Sequence, residues 1–249
     1  MTFWLSFVFV IGFILIHIFS KNMRFLKEVP RSRFLSVAGG ISVAYVFLHL
    51  LPDLGRYQET LQEELESGFW SFLESHIYVI AMIGLVLFYG LEKMAVSSRL
   101  SKHRAPKKAE EDEESPAGVF WVHIGSFTLY NAIIGYLLIR EEYTREWGMV
   151  FFFVAMGVHF ITNDRGLRAT HKEDYDKYGR WLLTTAILIG WLIGVLTEVN
   201  ELVISVLVAL LAGGIILNVL KEELPEERES SFTAFCLGLF GYSILLLLL

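Results

Sequence analysis

"MGVHFITNDRGL", residues 156–167, decides how this chain is read. It continues the apolar run "WGMVFFFVAM", residues 147–156, so a single hydrophobic stretch ends by setting His159, Asn163 and Asp164 at a depth where hydrocarbon is expected. Ionisable side chains at membrane depth are expensive, and they face a bundle interior or a water-filled cavity rather than lipid. The stretch therefore predicts an inward-facing membrane helix with a polar purpose.

The surrounding chain fits that reading. Its 249 residues are 54% hydrophobic and 14% aromatic, with a mean hydropathy of +0.51, which excludes an ordinary soluble domain. A bilayer crossing takes about 20 apolar residues, and eight stretches qualify: 3–20, 34–52, 72–91, 118–139, 147–163, 181–197, 202–220 and 232–249. The expected fold is an all-α membrane protein of eight transmembrane helices in one domain, 1–249, with a flexible cytoplasmic linker at 95–117 that runs from basic to acidic. The first stretch lacks a basic leader and a small-residue cleavage site, and is expected to be retained as a helix. Cys236 is the single cysteine and lies in the last stretch, so no disulfide framework exists.

Orientation follows from Lys and Arg. Eighteen of the twenty-one fall in connections 21–33, 93–117, 164–180 and 221–231, and three fall in the alternate ones. The positive-inside rule then puts both termini on the extracytoplasmic side of the cell membrane. The net charge of −6 carries no argument for nucleic acid. The expected partners are the lipid bilayer and, if the chain self-associates, a second copy in a homodimer.

Two segments repeat: "AGGISVAYVFLHLLPD", residues 38–53, and "AGGIILNVLKEELPE", residues 212–226. They run in opposite directions across the membrane, the mark of a 3+2+3 inverted repeat around a central fourth and fifth helix, and such folds place their site between the repeats. The AGG triplets serve close helix approach. His49 and Asp53, beside Pro52 at the outer end of the second stretch, are either an interfacial pair or an entrance.

These segments, with "LFYGLEK" at 87–93, resemble the ZIP (Zrt/Irt-like) family of divalent metal transporters. The resemblance implies eight helices, both termini outside, and a metal site, often binuclear, on the fourth and fifth helices. At those positions the chain departs from the family. "YNAIIG", 130–135, has Tyr130 for the histidine, keeps Asn131 and has Ile134 for the acid; "HFITND", 159–164, keeps His159 and Asp164 but has Phe160 for the first acid, Thr162 for the proline and Asn163 for the second histidine.

Helical geometry limits what remains. His159 and Asn163 point the same way to within about 40°, whereas Asp164 is turned by roughly 140° from His159, with Arg168 one turn on as its expected partner. Burying a divalent ion costs tens of kcal/mol unless anionic ligands offset it. The expectation is no binuclear zinc site and at most one weakly held divalent ion such as zinc on His159 and Asn163, with His123 as a second imidazole. Alternatively Tyr130, Asn131, His159 and Asn163 only hydrogen-bond the fourth helix to the fifth, at about 0.6–2 kcal/mol each. No enzymatic motif stands out, since "HFITN" lacks the glutamate of HExxH. Two functions are expected to compete: a divergent transporter of a cation or another small solute, and a non-conducting protein of the same fold that binds or regulates a partner.

Overall fold

The computed structural model describes residues 2–22, 33–64, 76–104, 117–140, 143, 147–223 and 231–248. Among them every regular element is helical: α1 (Thr2–Phe19), α2 (Arg33–Tyr45), α3 (Leu51–Glu64), α4 (Ile77–Arg104), α5 (Ala117–Arg140), α6 (Gly148–Asp174), α7 (Arg180–Leu196), α8 (Glu201–Glu223) and α9 (Phe232–Leu248). In hydrocarbon each backbone amide must be satisfied within its own segment, which leaves helices as the available form for such apolar stretches.

Among the described residues six spans are long and apolar enough to cross a membrane: Thr2–Asn22, Arg33–Glu59, Ile77–Ser97, Gly118–Arg140, Tyr175–Leu196 and Glu201–Lys221. The chain is thus a helical protein with the character of a multi-pass membrane protein. The remaining two expected crossings correspond to α9, which is apolar but shorter, and to α6, which is long but carries Asn163, Asp164, Arg165 and Arg168 in its second half.

Several boundaries differ from the sequence reading, each for a local reason. The helix of the second stretch does not end at Pro52. A π turn over Val46–Leu50 joins α2 to α3 in one continuous helix, with the Leu51 amide bonded to the Val46 carbonyl; Pro52 falls just after it, where the residue without an N–H removes one backbone bond and the π turn is the local adjustment. α6 likewise continues past Asp164 to a break at His171 (φ −125°, ψ 38°), followed by a second π turn, Tyr175–Gly179, that leads into α7. Residues 95–104 of the expected linker continue α4 as helix. Residues 105–116 of that linker, and the segments 23–32 and 224–230, lie outside the described residues.

The closest packing is between α5 and α7, α2 and α9, and α4 and α8. Glycines set all three crossings. A Cβ on Gly40 would lie 2.2 Å from the Phe235 carbonyl and one on Gly238 2.2 Å from that of Val37; for Gly84 and Gly213 the obstacles are the carbonyls of Leu210 (2.1 Å) and Ala81 (1.9 Å), and for Gly135 and Gly190 those of Ile187 (2.2 Å) and Ala132 (1.9 Å). Backbones touch there, which is how membrane helices gain dispersion contact without a hydrophobic driving force. α1 lies against α6 and α7, with Phe9 stacked on Phe153 at 4.4 Å, Phe153 filling the space over Gly12 and Trp191 Nε1 donating to Ser6 Oγ at 3.1 Å. α6 is buried on its inward side: Phe151, Phe152, Ala155, Met156, His159, Phe160, Asn163 and Asp164 are all buried and span about 220° of its circumference, while Val154 lies exposed on the remaining side.

Candidate functional site

The inward face of α1 reads Ser6, Val10, Phe13, His17, a helical stripe at the spacing of one buried side. It delivers His17 to the polar part of α6. There Nδ1 of His17 lies 3.0 Å from Asp164 Oδ1 and 3.0 Å from Oδ2, and Nε2 lies 2.9 Å from Asn131 Oδ1. His17, Asn131 and Asp164 are each only about 1% exposed.

The hydrogens in this triad can be assigned. Asn131 Nδ2 donates to the Phe127 carbonyl at 2.8 Å, so its amide oxygen is what faces His17, and Nε2 must be the donor. Nδ1 faces both oxygens of Asp164 at equal distance, the arrangement of an N–H set against a delocalised carboxylate. Both ring nitrogens of His17 thus face acceptors, the arrangement that suits an imidazolium paired with the Asp164 carboxylate between α1, α5 and α6.

A second triad lies beside it. The Tyr130 hydroxyl bonds His159 Nε2, and Asn163 Nδ2 approaches the same nitrogen at 2.9 Å. Both neighbours are donors, so Nε2 accepts and the ring is neutral. The Tyr130 and His159 rings stack with centroids 5.6 Å apart. His159 and Asn163 do share a face, as their four-residue spacing requires, but the lone pair that an ion would need is already taken by Tyr130 and Asn163. Phe160 packs on the other side, against Phe13 and against His17 at 4.8 Å between centroids.

The remaining candidates go elsewhere. His123 does not meet His159. Its Nδ1 faces His171 Nε2 at 3.0 Å, and its Nε2 lies 3.6 Å from Glu92, which Lys221 holds at 2.6 Å. Arg168 pairs with Asp176 at 2.8 and 3.0 Å rather than with Asp164, because the break at His171 and the π turn fold Asp176 back onto it. Among the described residues no three His, Cys, Asp or Glu side chains gather into a metal-holding group.

His49 and Asp53 stand on successive turns, 3.4 Å apart, with Arg56 on Asp53 at 2.5 Å. Both line a narrow cleft of about 20 Å³ with Tyr57, Ile134 and Met156, room for about one water. Tyr57 and Leu137 also belong to a wider cavity of about 670 Å³ that includes Arg56, Arg140, Glu198 and Glu201. The two meet at Tyr57 and Leu137 as a funnel whose narrow part is lined by Ile134, Phe152 and Met156.

Sequence reasoning missed His17, His171, Glu92, Lys221 and Tyr175. The signal for His17 was present, a lone histidine in an otherwise apolar stretch, but its partners lie 114 and 147 residues away. Compared with protein-family models, with curated proteins and with solved structures, the chain gives no match in any of the three.

Proposed function

We propose that this protein is a divergent ZIP-like carrier that moves a cation or another small solute between α5 and α6, without the binuclear zinc site of that family. The observation that carries the reading is the polar triad His17–Asn131–Asp164, buried inside the helical bundle. A carboxylate at that depth is costly unless it serves a path, and the family's two further acid positions hold Ile134 and Phe160. With one carboxylate the pathway suits a single ion, weakly held, and zinc at most in that number.

The helix pairing supports the 3+2+3 architecture. Exchange α1 with α7, α2 with α8, α4 with α9 and α5 with α6, and the pairs α1–α6, α2–α9, α4–α8 and α5–α7 map onto themselves. An inverted repeat has this property, with α5 and α6 as its central pair. Eight crossings with both termini outside complete the proposal. In a Cys236→Ser background, an impermeant thiol reagent added outside should label a cysteine at Ser67 and spare one at Ser101; the reverse pattern would overturn the orientation.

A second reading has its own observation. The narrow part of the funnel is lined mostly by apolar side chains and both triads are internally satisfied, as suits a non-conducting protein of this fold that binds or regulates a partner. Flux decides between them. Purified protein in proteoliposomes should pass at least one of a panel of monovalent and divalent cations, and Asp164→Asn should abolish that flux. Absence of flux for every ion, with the protein folded, would favour the non-conducting reading.

A further inference from the structure

We propose that His17 is a tethered cation: its ring occupies the position that a travelling ion takes, so α1 regulates the site as an internal plug. The inference rests on the carrier reading above and adds the identity of the resident charge. Two observations carry it.

The oxygen atoms around the ring form a cation site in their own right. The two Asp164 oxygens and Asn131 Oδ1 converge on the ring nitrogens from opposite sides at 2.9–3.0 Å, and the Phe127 carbonyl locks the amide so that it can only accept. The Tyr175 hydroxyl, fully buried, stands beside Asp164 and Ser20. A buried hydroxyl next to a carboxylate is one more donor atom for a cation. The set has one negative charge, and His17 supplies the matching positive one.

The ring is also carried close to the end of its helix. His17 is in the last turn of α1, which ends in a short 3-10 turn, Ser20–Asn22. That end is tied down by polar contacts to the carbonyls of Ile18 and Lys21, from Arg180 at 3.4 Å and Arg168 at 3.3 Å. Both are long, and Arg168 is primarily committed to Asp176. Withdrawal of the α1 end would lift the imidazolium from the site and leave its oxygen lining for an arriving cation. Occupancy by ion and by ring would then be mutually exclusive, which couples loading to the position of α1.

The test uses the purified full-length protein and small cations as probes. His17→Ala should lower Tm, and imidazole or methylguanidinium at millimolar concentration should recover most of that loss, whereas pyrazole, a neutral ring of the same size, should not. Neither cation should affect the wild type, whose site is filled, nor His17→Ala/Asp164→Asn, whose site has lost its charge. If His17→Ala does not fold, His17→Gln takes its place, because it keeps a donor and removes the charge. Equal recovery by pyrazole, or no recovery by either cation in a folded variant, would overturn the proposal. The flux assay is separate: a protein that never conducts yet is rescued by cations retains the tethered charge and loses the carrier reading.

Discussion

Asp164→Ala should destabilise the protein by about 3–5 kcal/mol, the usual cost of stranding one member of a buried ion pair. The expected size comes from what the substitution leaves behind. His17 would keep a donor on Nδ1 with no acceptor, in a site that is about 1% exposed at both partners, where desolvation is nearly complete. Removing both charges is a different matter, since a buried pair replaced by apolar groups of similar volume is often neutral. His17→Leu/Asp164→Leu should therefore be closer to wild type than either single variant. Reversible unfolding in mixed micelles, read as a double-mutant cycle, would measure the coupling. Additive losses in the cycle would mean that the two side chains do not form a pair.

The second large effect concerns the glycine crossings. At Gly190 and Gly213 an added Cβ would come within 1.9 Å of a carbonyl oxygen on the facing helix, and a backbone cannot rotate away as a side chain can. Alanine at either position should cost roughly 1–3 kcal/mol, and leucine more, because whole helices must separate. Gly125, on the exposed side of α5, provides the contrast. Nothing lies within 4 Å of its Cβ position, so alanine there should stabilise by about 0.5–1 kcal/mol through helix propensity alone. Losses of equal size at Gly125 and Gly190 would show that the crossings are looser than the contacts imply.

The two kinds of feature were not equally legible in the sequence. Apolar length marks helices well, and AGG triplets at 38–40 and 212–214 mark close approach, because both signals are local. The contact of Tyr130 with His159 followed from placing two polar motifs on neighbouring helices. Partners across distant helices were not legible. Asp164 was expected to pair with Arg168 one turn on, yet the structure gives Asp164 to His17 and Arg168 to Asp176. The spacing rule sees a single helix, and it could not anticipate a break at His171 that turns the chain back on itself. His123 failed in the same way. A rise of about 1.5 Å per residue gives depth, but His171 and Glu92 were the groups at that depth on the sides His123 faces.

The π turn at Val46–Leu50 has a consequence for how the second crossing is phased. A π turn is in effect an α-helix with one residue inserted, and each residue advances the helix by about 100°. The half that carries Gly39 and Gly40 and the half that carries Asp53, Arg56 and Tyr57 are therefore out of step by about that angle. One continuous helix presents its small residues to α9 at one end and its polar side chains to the funnel at the other, two bearings that an unbroken α-helix could not serve with this sequence. The insertion works as a rotary joint fixed in the covalent chain.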